Sequence, residues 1–380
     1  MAKRRFGRVR KLPSGRFQAR YPGPDGIDRP APNTFASKTD AARWLTLKEA
    51  ELARDEWIDP AAGEVPLGEY AQKWIRERPG LRSKTLVLYG GLLRNHIAPT
   101  LGAKPLTELT APMLRGWRHS LLDGGLGPVT AAKAYRLLRS ILSTAVEDRL
   151  IKTNPCYIKG AAVERSPERP VLTVAEVYKL ANAMHPRFRA LILVAALGSL
   201  RWGELAALQR RHVDLVSGVV RIRQAAVELP TGELQISPPK TAAGRRTVYL
   251  PEIVMQDLRV HFDIYVKRTP EAFVFTGAKG AQLRRSTFQR NWRKGLKGAG
   301  LTGRVHFHDL RHTGNTWAAE SGATLRELMD RMGHASSRAA LIYLHTSDRR
   351  HQGVAQAMSE LVAEGLRDDP DDGLAVASGT

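Results

Sequence analysis

Phe307-His308-Asp309-Leu310-Arg311-His312-Thr313, followed by Met332-Gly333-His334 and then by Tyr343, is the stretch on which the reading of this chain turns. It reads as the start of a helix carrying a His and an Arg on one face, then a Gly-His turn and an isolated tyrosine. His308 and His312 stand one helical turn apart, which resembles the helix of zinc proteases. That motif needs Glu at its second position as general base; Asp309 is a carbon shorter, and Arg311 would crowd a cation. No metal or other cofactor is assigned. Two readings stay open at this point: a helix that caps itself and packs, and a site that grips a phosphate and attacks it with a phenolate.

Working outward, the chain of 380 residues has room for two or three domains, and 43% hydrophobic residues support real cores. A formal charge of +22 repels itself in a folded protein and points to a polyanionic partner. Ribosomal and membrane-surface proteins share that trait, so charge alone does not select nucleic acid. Cys156 is the single cysteine, which excludes an internal disulfide and a thiolate zinc site; it is expected as a small buried side chain. The basic N-terminus lacks an apolar run after it, and the longest apolar stretch, Ala190 to Leu200, is too short to span a bilayer. A soluble, intracellular protein without a membrane partner is expected.

Residues 1–60 read as a small basic module. In Arg16-Phe17-Gln18-Ala19-Arg20-Tyr21, alternation puts Arg16, Gln18 and Arg20 on one face and the apolar residues on the other. Pro22-Gly23-Pro24-Asp25-Gly26 supplies a turn, and Ser37 or Thr39 can cap a helix bearing Ala41, Trp44, Leu45 and Leu52. Such a sheet could enter a DNA groove, or be an ordinary solvated edge. After a breaker-rich linker, residues 65–156 read as a four-helix bundle. Its apolar faces are Leu67/Tyr70/Ala71/Trp74, then Leu86/Tyr89/Leu93/Ile97 (capped by Ser83, ending before Pro99), Met113/Leu114/Trp117, and Ala132/Tyr135/Leu138/Ile141, the last stopping near Asn154-Pro155. The polar faces, including Lys84, Arg94, Lys133 and Arg136, carry one sign of charge, which suits contact with backbone phosphates.

A second, basic linker leads to residues 170–362. Thr173 can cap a helix, Phe188 to Leu197 reads as a buried helix, and Gly218–Arg223 and Arg245–Leu250 read as strands flanking the turn-rich 237–244. Helices are expected over 252–266, 286–297, 308–320, 325–331, 337–344 and from near Arg349 to about Leu366. The acidic residues 363–380 are expected to be a disordered tail; the run 368–373 resembles a calcium loop, but Pro370 occupies a ligand position.

Residues elsewhere in the chain can serve the phosphate site. An arginine stays charged and offers a planar fork that matches phosphate oxygens. Two such forks, with a His and a Lys, can neutralise a pentacoordinate phosphorus without a metal. Arg201 stands at a helix start in Gly198-Ser199-Leu200-Arg201-Trp202-Gly203-Glu204, Lys240 in a turn between strands, and His308 with Arg311 on a helix. His334 and Tyr343 complete the set. Tyrosine suits the attack because its phosphodiester conserves the energy of a broken DNA link.

In this order, Arg-x-x-Glu, Lys, His-x-x-Arg, Gly-His and Tyr, the chain resembles the tyrosine recombinases of the phage integrase type. By motif the resemblance covers about residues 170–362; the bundle resembles the family's core-binding domain and residues 1–60 its arm-binding domain. The resemblance implies that Tyr343 attacks the scissile phosphate, leaving a 3′-phosphotyrosyl link and a free 5′-hydroxyl. It implies that Arg201 and Arg311 clamp the phosphate, Lys240 protonates the leaving oxygen, and His308 and His334 assist, with Glu204 and Asp309 orienting the Arg and His side chains. Tyr249 and Tyr265 are rival nucleophiles on sequence alone, and Arg245 and Arg246 are rivals to Lys240.

The fold expected is therefore multidomain and mainly α with small β-sheets (α+β): an N-terminal sheet-plus-helix module, a helical core-binding bundle and a mixed α/β catalytic domain. The function expected is a site-specific recombinase acting on double-stranded attachment-site DNA as a homo-tetramer, with an accessory DNA-bending or directionality factor left open. The last helix, bearing Val354, Met358 and Leu361, docks either on its own domain or on a neighbour. A topoisomerase-like nicking and resealing enzyme and a non-catalytic DNA-binding regulator are the alternatives.

Overall fold

Alternating side chains decide which side of the N-terminal sheet is buried. Strands β1 (Arg8–Lys11), β2 (Phe17–Pro22) and β3 (Asp28–Pro30) form an antiparallel sheet in which Arg8 faces Arg20 and Arg10 faces Gln18. Ala19 and Tyr21 point the other way, onto Ala41 and Leu45 of helix α1 (Lys38–Ala53). The Ser37 hydroxyl caps α1 by accepting the Asp40 N–H at 3.0 Å.

The protein is described here from a computed structural model covering residues 5–164, 169–229, 231–239, 241–333, 336–344 and 348–368. The chain divides into two compact units, residues 1–167 and 168–380.

In the first unit, α2 (Leu67–Glu77), α3 (Ser83–Leu92), α4 (Ala98–Leu101), α5 (Ala111–Asp123) and α6 (Pro128–Glu147) follow α1. Leu67, Trp74, Ile97, Leu114, Leu138 and Ile141 share one core. Four local expectations are corrected. Ser83 is the first helical residue of α3, and its cap position is Arg82, with no side-chain cap. Pro99 does not stop the helix: a π-turn over Leu93–Ile97 re-phases the backbone, and Pro99 then occupies the first turn of α4, where its missing N–H costs no hydrogen bond. Helix α6 ends at Glu147 rather than near Asn154, because Arg149 adopts a left-handed φ of +58°. Leu86, expected inside, is exposed. Cys156 is buried, and burial pushes its thiol up to about 12.

In the second unit, the Thr173–Glu176 capping box starts α7 (Val174–Ala183). Helix α8 (Pro186–Leu197) is buried along most of its length and is contacted by α7 and by two later helices, α10 (Glu252–Tyr265) and α12 (Phe307–Glu320). Between α8 and α10 lie α9 (Trp202–Ala206) and strands β4 (Val213–Asp214), β5 (Val219–Ile222), β6 (Ala225–Glu228), β7 (Leu234–Ser237) and β8 (Arg246–Tyr249). The sheet order is β4-β5-β8, with β6-β7 a separate hairpin. That hairpin was not expected: the residues after Arg223 lack long β-branched runs, and its pairing is carried by the backbone. The segment containing position 240 therefore joins two sheets rather than closing the β5–β8 pair.

Helices α11 (Arg285–Ala299), α13 (Leu325–Met332), α14 (Arg338–Leu341) and α15 (Asp348–Asp368) complete the unit. Helix α15 takes in 363–368, the start of the expected tail; 369–380 lie outside the described residues. Phe188, Trp202, Phe288, Trp292 and Phe307 pack edge to face around α11 and α12. Gly314 lets α12 touch α8: a β-carbon there would lie 1.8 Å from the Ala196 carbonyl oxygen. Among the described residues, no helix is long and apolar enough to cross a membrane.

Candidate active site

The turn Gly198-Ser199-Leu200 carries the chain from α8 into α9. Ser199 is fully buried with a φ of +53°, a region that side chains with a β-carbon disfavour. This turn sets Arg201 at the N-cap of α9, where Glu204 reaches back to it. One Glu204 oxygen accepts the Arg201 backbone N–H at 2.8 Å and the other accepts Arg201 Nη1 at 2.8 Å. Arg246 of β8 closes the other side, its Nη1 and Nη2 each 2.9 Å from one carboxylate oxygen of Glu204. Burial alone would raise the Glu204 carboxyl; the bonds and charge of Arg246, then the charge of Arg201, override it and bring it down to about 2.

Helix α12 supplies the facing wall. Asp309, 1% exposed, accepts the His306 N–H at 2.7 Å and Arg169 Nη1 at 2.7 Å, so its bonds run to the helix start and to Arg169 rather than to His308. Arg311, 3% exposed, donates Nη1 to the Ser199 carbonyl and Nη2 to the Met332 carbonyl at 2.7 Å. It thereby ties the Arg201 turn to the end of α13. Burial, then repulsion from Arg201, weakens the hold of Arg311 on its proton, while Glu204 opposes this. His308 keeps an exposed edge, yet crowding around the ring and then the charges of Arg311 and Arg169 lower it to about 4. It is neutral at pH 7.

Tyr343 follows α14 and is half-buried, packed with Leu328 and Met332 of α13. Its ring lies 5.1 Å from that of His312, and its phenol bears electrostatically on Arg311. The rival tyrosines stand elsewhere. Tyr249 projects from β8 with 69% exposure, and Tyr265 lies under the Arg187 guanidinium at 4.6 Å. Arg201, Glu204, His308, Arg311 and Tyr343 thus lie close together in one cluster. Lys240 and His334 lie outside the described residues, although their neighbours converge: a β-carbon on Gly333 would meet the Ala243 carbonyl oxygen at 2.8 Å and Arg246 Nη1 at 3.1 Å. Among the described residues, no three His, Cys, Asp or Glu side chains are grouped to hold a metal.

The other expected contacts sit in the first unit. Arg16 bonds to Thr34 at 2.7 Å, Gln18 accepts from Arg10 at 2.8 Å, and Arg20 grips Asp28 at 2.6 Å, all on the open face of the sheet. Lys84 and Arg94 are exposed on α3 and the π-turn; Lys133 and Arg136 of α6 both pair with Glu164.

Three residues were missed. Arg246 was weighed only as a rival to Lys240, yet it occupies an inward slot of β8, beside the buried Val248, and its buried charge is what the alternation could have flagged. Arg169 carries no signal in its linker, and the positive φ of Ser199 is invisible in a residue type that seldom adopts it.

Residues 5–54 match the phage integrase N-terminal domain, residues 67–122 the phage integrase N-terminal SAM-like domain, and residues 170–350 the phage integrase family. The chain is 38% identical to the putative prophage phiRv2 integrase of Mycobacterium tuberculosis over 94% of its own length and 96% of that protein. It is 35% identical to the integrase of Mycobacterium phage L5, covering 95% and 99%. Two solved structures share the fold. The Tn1549 transposon integrase in complex with a circular intermediate DNA has a TM-score of 0.68 at 20% identity, covering 77% of this chain and 99% of that one. A lambda integrase tetramer bound to a Holliday junction has a TM-score of 0.56 at 18% identity, covering 91% and 99%.

Proposed function

The chain belongs to the phage integrase family and is a tyrosine site-specific recombinase, and from that premise we propose how its own residues carry the reaction. The Tyr343 phenolate attacks the phosphorus of the scissile phosphodiester. A Tyr Oη–P bond forms, the P–O5′ bond breaks, and the 5′ oxygen leaves as a hydroxyl after taking a proton from Lys240. Rejoining reverses these steps with the 5′-hydroxyl of another strand. Arg201 and Arg311 hold the non-bridging oxygens, and His334 donates to the same phosphate. His308, neutral because its surroundings disfavour the imidazolium, can accept the phenol proton.

The observation that carries this reading is the convergence of two arginines from α9 and α12 with Tyr343. Glu204 and Asp309 are shared with Arg246 and Arg169, so the cluster keeps positive charge for a phosphate. Covalent capture of the chain on nicked attachment-site DNA, lost in Tyr343→Phe, tests it. A topoisomerase that only nicks and reseals, and a non-catalytic regulator, are not favoured, because the relatives matched along nearly their whole length are integrases.

The reading extends to the rest of the chain. Residues 1–60 act as the arm-type DNA-binding domain through Arg16, Gln18 and Arg20. Residues 65–156 act as the core-binding clamp, with Lys84, Arg94, Lys133 and Arg136 on phosphates, residues 170–362 as the catalytic domain, and 363–380 as the tail. Helix α15 exposes Met358, Leu361 and Val362, an apolar face that suits docking on a neighbouring subunit of a tetramer on DNA. The lambda integrase tetramer on a Holliday junction is a precedent for that assembly. The nucleoid of a prokaryotic host is the place of action.

A further inference from the structure

Arg246 is 7% exposed, and its guanidinium bonds to Glu204 and to the carbonyls of Gly244 and Arg331. Two nitrogens grip Glu204, and Nε donates to the Arg331 carbonyl at 2.7 Å. The next carbonyl of α13, that of Met332, accepts Arg311. The last turn of α13 is thus held by two guanidiniums, at the helix end where carbonyls lack partners and partial negative charge collects. Gly333 follows at once in a left-handed conformation (φ +62°), leading into position 334. On its other side Arg246 holds Glu204, which holds Arg201 by both backbone and side chain.

We infer that Arg246 is a positioning residue for strand cleavage: it holds Glu204, and through it Arg201, in fixed relation to the α13 end that leads to Gly333 and His334. This rests on the roles proposed above for Arg201 and Tyr343. The physical argument is a competition for one carboxylate. With Arg246 present, Glu204 is saturated by a two-pronged grip and needs only one side-chain nitrogen from Arg201, which stays 37% exposed. Without Arg246, the buried carboxylate faces, among the described residues, Arg201 on its own turn and Arg311 from α12. It then draws Arg201 inward, off the phosphate, and takes up a proton more readily as the pH falls. Neither change touches the nucleophile.

The experiment measures the single-turnover rate of covalent adduct formation on nicked attachment-site DNA, from pH 5 to 9, with DNA affinity and thermal unfolding in parallel. Arg246→Gln is expected to slow the reaction about 100-fold, as a misaligned clamp does, with DNA affinity little changed. Its rate should also fall away on the acid side where the wild type is flat, since Glu204 has lost the partner that keeps it ionised. Glu204→Gln in that background should abolish the acid limb without restoring the rate. An Arg246→Gln protein with the wild-type rate, or slow with the wild-type pH profile, overturns the inference. If Arg246→Gln does not fold, the double variant removes both charges and is read instead: slow and pH-flat supports the inference, wild-type speed overturns it. Tyr343→Phe separates the two levels. An adduct in Tyr343→Phe overturns the reading of the site itself; its loss, beside an unaffected Arg246→Gln, overturns only the role of Arg246.

Discussion

The His312 and Tyr343 rings lie 5.1 Å apart, inclined at 49°, one turn along α12 from His308. This contact gives the tyrosine a defined seat beside Arg311 before any DNA is bound. His312→Ala removes the seat while leaving the arginines in place. We expect adduct formation on nicked attachment-site DNA to slow about tenfold, since a reacting atom held loosely loses much of its orientation. Equilibrium DNA binding, read by gel shift, should be unchanged, and His312→Phe should recover most of the rate.

The meeting of α8 and α12 at Gly314 leaves no room for a side chain. Gly314→Ala would set its β-carbon 1.8 Å from the Ala196 carbonyl oxygen. Backbone cannot yield as a flexible side chain can, so the helices must part. A loss of about 3 kcal/mol is expected by urea unfolding. Because α12 carries both His308 and Arg311, the surviving folded protein should also cleave more slowly.

His308 titrates from a folded value of about 4 against an ordinary 6.5. Above pH 6.5 it is neutral in both folded and unfolded chains and contributes nothing to the pH dependence. As pH falls from 6.5 toward 4 the unfolded chain takes up the proton first, so this histidine erodes stability across that window. His308→Gln should flatten that part of the curve. Ring resonances followed by NMR should show a midpoint near 4 in the free protein and a rise when vanadate binds beside Arg201 and Arg311, because an anion there favours the imidazolium.

On the N-terminal sheet, Arg16 and Arg20 are held by Thr34 and Asp28 on the open face. If they meet backbone phosphates of arm-site DNA, Arg16→Ala with Arg20→Ala should lower the slope of log affinity against log salt by about 2, at roughly 0.9 per phosphate. Fluorescence anisotropy on arm-site DNA reads this. Binding to core-site DNA should keep its slope.

Much of the site was legible because its chemistry demands residue types that are rare in combination. Arg201, His308, Arg311 and Tyr343, singled out by order and spacing, lie close together in the fold, and α12 and α13 follow from helical periodicity and their polar starts. What escaped depends on tertiary contact. The charge of Arg246 only makes sense once Glu204 is seen to share it, and these residues are 42 apart in sequence. The β6–β7 hairpin rests on backbone pairing that composition does not advertise, and the π-turn before Pro99 accommodates a residue that usually signals a helix stop. Asp309 was expected to orient a His or Arg side chain; Arg169, from a stretch that read as mere linker, takes one of its oxygens.

The central claim is that Tyr343 becomes covalently joined to DNA. The most direct measurement traps the chain on nicked attachment-site DNA, digests the complex and maps the peptide that carries the nucleotide by mass spectrometry. The account predicts a single phosphotyrosyl adduct at Tyr343, on a 3′ phosphate, absent from Tyr343→Phe. An adduct at Tyr249, Tyr265 or any other residue, or one that persists in Tyr343→Phe, would contradict it.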